Sequence, residues 1–211
     1  MGDVWFTGFM LRRLSTAPAI AGLFLLLVAM PAPASARGLE DAVLDEINYA
    51  RQHPREYARE LQRIDADWRP DNRYATDDPR DVEEAVDFLM RQPPLPPLRL
   101  DERLSEAALD HAATQGPRGQ LGHTGPRGET LGQRLQRRGM WAGLSAENIS
   151  YGYDDPGGVV RQLIIDSGVP NRAHRQNIFS HSYQAAGAGC ARHSVYGAMC
   201  VIDFAGAIVA R

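Results

Sequence analysis

Gly122-His123-Thr124-Gly125, Ala146-Glu147-Asn148-Ile149 and Arg172-Ala173-His174-Arg175-Gln176-Asn177-Ile178 set two histidines and an acid on separate elements within the stretch from Leu121 to Asn177. The first histidine lies between glycines after a helical segment, and Glu147 leads into an apolar and aromatic run. The second histidine follows an aliphatic helix that ends at Asp166. Such groups form a site only if the fold brings their elements together.

The flanks say which elements those are. Asp155-Pro156 opens a helix through Val159, Val160, Leu163 and Ile164, with Pro156 in the first turn. Thr130 to Arg138 is a short helix with Leu131 and Leu135 inward and Gly139 as its C-terminal stop. Upstream, Asp101 caps a helix through Leu104, Ala107, Ala108, His111 and Ala112 that stops at Gly116; His111 falls on its buried stripe and reads as a packed core histidine. Further back, helical stripes run over Leu39 to Arg51, Pro54 to Ile64 and Pro79 to Met90. Asp65 to Asp78 reads as a polar loop, and Pro93-Pro94-Leu95-Pro96-Pro97 as an extended connector. Downstream, Ala185 to Arg192 and Gly197 to Phe204 read as two strands. Helices before a small C-terminal sheet make an α+β layered domain. Neither a phosphate-cradling glycine motif, nor His-Glu-x-x-His, nor a Gly-x-Ser-x-Gly elbow is present.

The two ends of the chain bear on its compartment. Arg12 and Arg13 precede an uncharged run from Ala17 to Met30, followed by Pro31, Pro33 and Ala34-Ser35-Ala36. This is the order of a secretory signal peptide, residues 1–36, cleaved after Ala36. The run falls short of the roughly twenty residues that span a bilayer, so no stable membrane span is expected after cleavage. Secretion or periplasmic residence follows. Cys190 and Cys200 are the only cysteines, and a hairpin would set them on adjacent strands. In an oxidising compartment one disulfide is expected; two buried thiols are the other outcome. The net charge of −3, carried with 23 basic residues that are all arginine, excludes binding nucleic acid through phosphates. A monomer is expected.

The order and spacing of Gly122-His123-Thr124-Gly125, Gly139-Met140-Trp141, Ala146-Glu147-Asn148-Ile149 and His174-Arg175-Gln176-Asn177-Ile178 resemble the bacterial branch of the CAP superfamily, the SCP-like proteins. Asn48-x-x-Arg51-x-x-Pro54 and the helix with Leu104, Ala108 and His111-Ala112 extend the resemblance to about Leu39 through Phe204. It implies an α-β-α sandwich with a small antiparallel sheet between helical layers. Residues 37–97 would be its N-terminal helices and proline-rich connector, and 98–211 the core carrying the cleft and C-terminal sheet. It also implies a central cleft of two histidines and two acids: His123, Glu147, His174 and, less directly, Asp166. Animal and plant members carry a glutamate where this chain has Asp166, and the segment from Gly168 to Arg172 is longer than the family's form.

Imidazole pairs beside carboxylates hold divalent ions, zinc foremost, so His123 and His174 are the candidate metal ligands. Two protein ligands alone make an open site, since a catalytic zinc has three. Glu147 could ligate, orient a histidine or act as general base; alternatively both histidines bond Glu147 and lock the helices to the sheet. Asn177 is read as scaffold that satisfies backbone groups at the turn after His174. His181 is read as a surface histidine. Three functions stand open: a secreted non-catalytic binder of a lipid, glycan or protein; a metal-assisted hydrolase or peptidase with Glu147 as base; and an envelope scaffold with an unused cleft. The resemblance favours the first, since members are linked to sterol and fatty-acid binding.

Overall fold

The computed structural model describes residues 1–2, 38–66 and 77–209. All but the first two residues of the signal-peptide reading, 1–36, and most of the loop read between Asp65 and Asp78 lie outside the described residues.

Within the folded unit, helices are capped as their sequences dictate. Asp78, Asp101 and Asp155 each accept a backbone N–H at the start of a helix: α3 (Pro79–Arg91), α4 (Glu102–Gln115) and α6 (Pro156–Ile165). Thr130 and Gln133 form a reciprocal capping box on α5 (Leu131–Arg137), and Gly139 follows it at φ 69°. The remaining helices are α1 (Leu39–Gln52), α2 (Pro54–Ala66) and α7 (Ala173–Ile178).

The sheet contains more strands than the sequence suggests. Its order is β1-β4-β5-β3, where β1 is Arg99–Leu100, β3 is Ser145–Tyr151, β4 is Ala185–His193 and β5 is Gly197–Ala205. The three long strands are antiparallel, and the two-residue β1 adds in parallel to β4. A separate ribbon pairs β2 (Trp141–Ala142) with β6 (Ile208–Val209).

Alternation along the strands divides the core into two layers. Ala186, Ala188, Cys200, Ile202 and Phe204 pack against α1, α3 and α6. Their neighbours Ala185, Met199, Val201 and Ala205 pack against α4 and α5. The result is an α-β-α sandwich. The first layer runs from Val43 to Phe204 in sequence, so residues 37–97 and 98–211 share one core.

Two contacts fix this packing. Cβ atoms built at Gly187 and Gly189 would lie 2.2 Å from the Ser105 nitrogen and 2.1 Å from the Leu109 nitrogen, so the α4 backbone rests directly on β4. On the other face, Asn48 exchanges two bonds with the Leu98 backbone, at 2.7 and 3.0 Å, and buried Arg51 donates to the carbonyls of Pro96, Ile178 and Ser180. The extended connector is thereby clamped to α1, with Leu95 and Leu98 buried beneath it. Cys190 and Cys200 stand opposite each other in register and form the expected disulfide. Because α4 has no room to retreat, Gly189→Ala should cost about 1–3 kcal/mol through overpacking, measurable by urea denaturation.

Candidate functional site

β3 is one of the two edge strands of the sheet, and its successive side chains leave on opposite faces. Glu147 turns toward α5 and the His123 loop, whereas Asn148 turns toward α7. A cleft of about 400 Å³ opens along this edge, lined by His123, Ile149, Tyr151, Asp166 and His174 among others. It holds His123 and Asp166–His174 on its walls, but not Glu147, which is buried behind His123. A larger polar depression of about 860 Å³ beside α5 contains none of these residues.

The His123 loop is held from both sides. His111 Nε2 donates to the Gly122 carbonyl at 3.0 Å, and Gln115, one turn on, donates to the Thr124 carbonyl at 2.7 Å. Gly122 N–H donates to the Tyr151 hydroxyl at 2.9 Å, and Gly122 itself has φ 88°, where a side chain would be strained. His111 is thus core, as its helical position implies, and it also positions the next histidine. Burial lowers its pKa and keeps it neutral.

His123 Nδ1 lies 2.9 Å from Glu147 Oε1, while Arg134 bonds Glu147 Oε2 and the His123 carbonyl. Burial alone would raise the Glu147 pKa, but the His123 hydrogen bond and the Arg134 charge outweigh it and hold the carboxylate below its usual value. An ionised carboxylate only accepts, so His123 donates from Nδ1, and Nε2 is the ring nitrogen left free of this bond.

The second histidine has an acid of its own, contrary to the alternative that both bond Glu147. Asp166 Oδ1 lies 2.6 Å from His174 Nδ1, and Oδ2 accepts the His174 backbone N–H at 2.8 Å. Asp166 ends α6 in the left-handed region at φ 58°, where its short polar side chain is tolerated, and from there it caps α7, whose own N-cap Arg172 makes no side-chain cap bond. One residue therefore terminates one helix, starts the next and orients the cleft imidazole. Arg175 and Arg172 brace this corner against Glu84 of α3. Asn177 is scaffold, but its amide donates to the Asn148 side chain at 2.8 Å rather than to backbone; Asn148 then donates to the His174 carbonyl at 3.0 Å. His181 is exposed, and neither of the cleft's imidazole–acid pairs includes it.

Sequence reading misses Arg134, Asp203 and Gln162. Arg134 is one helical turn beyond inward-facing Leu131, and a charge on that face was its signal. Asp203 is a lone acid in an apolar strand, opposite Glu147 in register and fully buried. Burial and the adjacent Glu147 charge push its carboxyl well up, so Asp203 stays protonated while Glu147 ionises.

The cysteine-rich secretory protein family model, CAP, matches residues 44–204, most of the chain, and the chain belongs to that family. Solved structures similar to it include an extracellular protein containing an SCP domain from Bacillus anthracis, at 21% identity and TM-score 0.45, covering 61% of this chain and 41% of that one. An outer surface protein from Borrelia burgdorferi is similar at 18% identity and TM-score 0.43, with 63% and 88% covered. A cysteine-rich secretory protein from Staphylococcus aureus is similar at 16% identity and TM-score 0.37, with 66% and 42% covered. The chain thus spans less than half of the Bacillus and Staphylococcus proteins. Comparison with curated proteins finds no match.

The raised Asp203 carboxyl gives a pH-dependent outcome. Below an unfolded pKa of about 3.9 the group is neutral in both states and its burial costs nothing extra. Above that pH the unfolded chain ionises while the folded one stays protonated, so wild-type stability falls. Asp203→Asn, isosteric and always neutral, should therefore gain stability relative to wild type as pH rises from 4 toward neutrality. Thermal melts across that range check it, and a difference that does not change with pH contradicts the assignment.

Proposed function

We propose that this chain is an exported, non-catalytic binding protein whose cleft between His123 and His174 receives the ligand. The observation that carries the reading is that each cleft imidazole is held through Nδ1 by its own buried carboxylate. This arrangement presents two Nε2 lone pairs to whatever enters. Export is supported by the positive, apolar and small-residue order of residues 1–36. Among the described residues no helix is long and apolar enough to cross a membrane.

The donor set fits a divalent ion in part. Two imidazoles with carboxylates behind them suit zinc, and His123 and His174 would hold it. Among the described residues no three His, Cys, Asp or Glu side chains are grouped to hold an ion, so water or the ligand would complete the coordination. Bound zinc would supply a Lewis-acidic contact for a ligand oxygen.

General-base catalysis by Glu147 is the weaker reading. Its oxygens are engaged by His123 and Arg134, and its pKa is lowered, whereas a base working near neutrality needs a raised one. The ligand classes in view are a lipid, a glycan and a protein segment. The cleft wall offers Ile149, Leu163 and Val169 beside its polar groups, enough for any of them to be held in part by apolar contact.

Calorimetric titration of zinc into the tag-free chain from Arg37 to Arg211 tests the site. One saturable site is expected, lost in the His123→Ala/His174→Ala double variant and weakened by roughly 10–100-fold in Asp166→Asn. Circular dichroism confirms that each variant is folded. Stoichiometric zinc retained by the folded double variant sinks the assignment.

A further inference from the structure

The free edge of β3 runs beside the cleft, and its hydrogen-bonding phase can be read from the ladder. Gly206 N–H donates to the Leu144 carbonyl at 2.9 Å and Gly152 N–H to the Ala198 carbonyl at 3.0 Å. These bonds lie at the two ends of the β3–β5 register and share its even positions. In an antiparallel pair such positions alternate, so Ala146, Asn148 and Ser150 turn their backbone groups inward to β5. The backbone groups of Glu147, Ile149 and Tyr151 therefore turn outward, away from the sheet.

What happens at Tyr151 supports this phase. Tyr151 N–H donates to Gln162 Oε1 at 3.2 Å, and Gln162 Nε2 donates back to the Tyr151 carbonyl at 3.3 Å. The side-chain amide of α6 thus makes both bonds that a residue on a neighbouring strand would make. Ser150 Oγ fixes the amide by donating to the same Oε1 at 2.6 Å. Two residues earlier no such imitation exists: the N–H and C=O of Ile149 have no hydrogen-bond partner among the described residues. Ile149 lines the cleft, together with Leu163 and Val169 from the α6 side and His123 from the other.

We infer that the cleft takes an extended peptide segment, which adds to the sheet as a short strand through a pair of main-chain hydrogen bonds to Ile149. Gln162 ends the added strand at Tyr151, and the two imidazole–carboxylate pairs flank it. Peptide backbone is the chemistry that matches an N–H and a C=O presented side by side on one edge, and strand addition is an established way to bind it. Side chains of the added segment alternate between the Tyr151–His123 side and the Leu163–Val169 side. The inference rests on the reading that the cleft is the ligand site, and it names the ligand class. Edge strands that stay open are a liability, which gives a cleft with walls on both sides a reason to enclose one.

The probe is a library of random heptapeptides displayed on phage and selected against the intact chain. The best sequence is then synthesised with a single N-methyl group at each position in turn. Expected is a loss of affinity of at least tenfold on methylation at one residue, the one whose N–H meets the Ile149 carbonyl, with both of its neighbours tolerant. Ile149→Pro deletes only an outward N–H, which proline can do at an edge, and should abolish binding. Ile149→Ala, which removes the same packing but keeps the N–H, should retain it.

Selected peptides that bind in the cleft but tolerate every N-methylation and Ile149→Pro overturn strand addition and leave the cleft reading intact. Failure to select any peptide also overturns it. Binding that needs the Ile149 N–H yet ignores His123→Ala/His174→Ala upholds strand addition and overturns the imidazole reading instead. Self-association of the chain that Ile149→Pro abolishes, seen by sedimentation, identifies a second copy as the occupant and overturns the peptide.

Discussion

Everything in the cleft depends on adjacent residues of a strand pointing to opposite faces. Glu147 and Asn148 sit side by side on β3, yet one organises α5 and the His123 loop, and the other organises α7 and His174. Because β3 is the edge of the sheet, the two halves meet there and form a cleft instead of being separated by a continuous sheet. A one-residue slip would exchange their faces and dismantle both halves at once. The disulfide between β4 and β5 and the contact of α4 with Gly187 and Gly189 fix the strands on which β3 rests.

The buried charges obey the same geometry. Glu147, Arg134 and Asp203 lie in a buried layer beneath His123, where an unpaired ion is costly. The layer tolerates one ionised acid and one arginine, and it keeps the second acid protonated. On the proposed reading, Glu147, bonded to Arg134 and to an imidazole, orients that imidazole and is poorly disposed to accept a proton from a substrate. Asp166 does for His174 what Glu147 does for His123, but it achieves this from a helix end, with Oδ1 on the ring and Oδ2 capping α7.

Much of this was legible from the sequence, for physical reasons that can be named. Helices announce themselves through stripes and caps, and Asp78, Asp101, Asp155 and Thr130 all cap where their side chains lead one to expect. The hairpin and its disulfide were legible because two apolar runs flank a polar turn. β3 was not, because Glu147, Asn148 and Ser150 carry polar groups into buried positions and erase the period of two. β1 and β2 are two residues long and leave no pattern at all. Asp166 was legible as a site residue only by family position. Its partner could not be read, because the bond to His174 depends on a left-handed turn that spacing does not reveal. Arg134 and Asp203 were visible as charges on apolar faces, but which acid they met was decided by strand register.

The most direct test of the account is the protonation state of the two imidazoles, read by long-range ¹H–¹⁵N correlation on the ¹⁵N-labelled chain at neutral pH. The account requires His123 and His174 both to be the Nδ1–H tautomer, with Nε2 unprotonated, and requires His123 to lose that preference in Glu147→Gln and His174 in Asp166→Asn. Nε2-protonated rings in the wild type, or tautomers indifferent to those two substitutions, would contradict it, because the lone pairs on which the cleft's binding chemistry rests would not face the ligand.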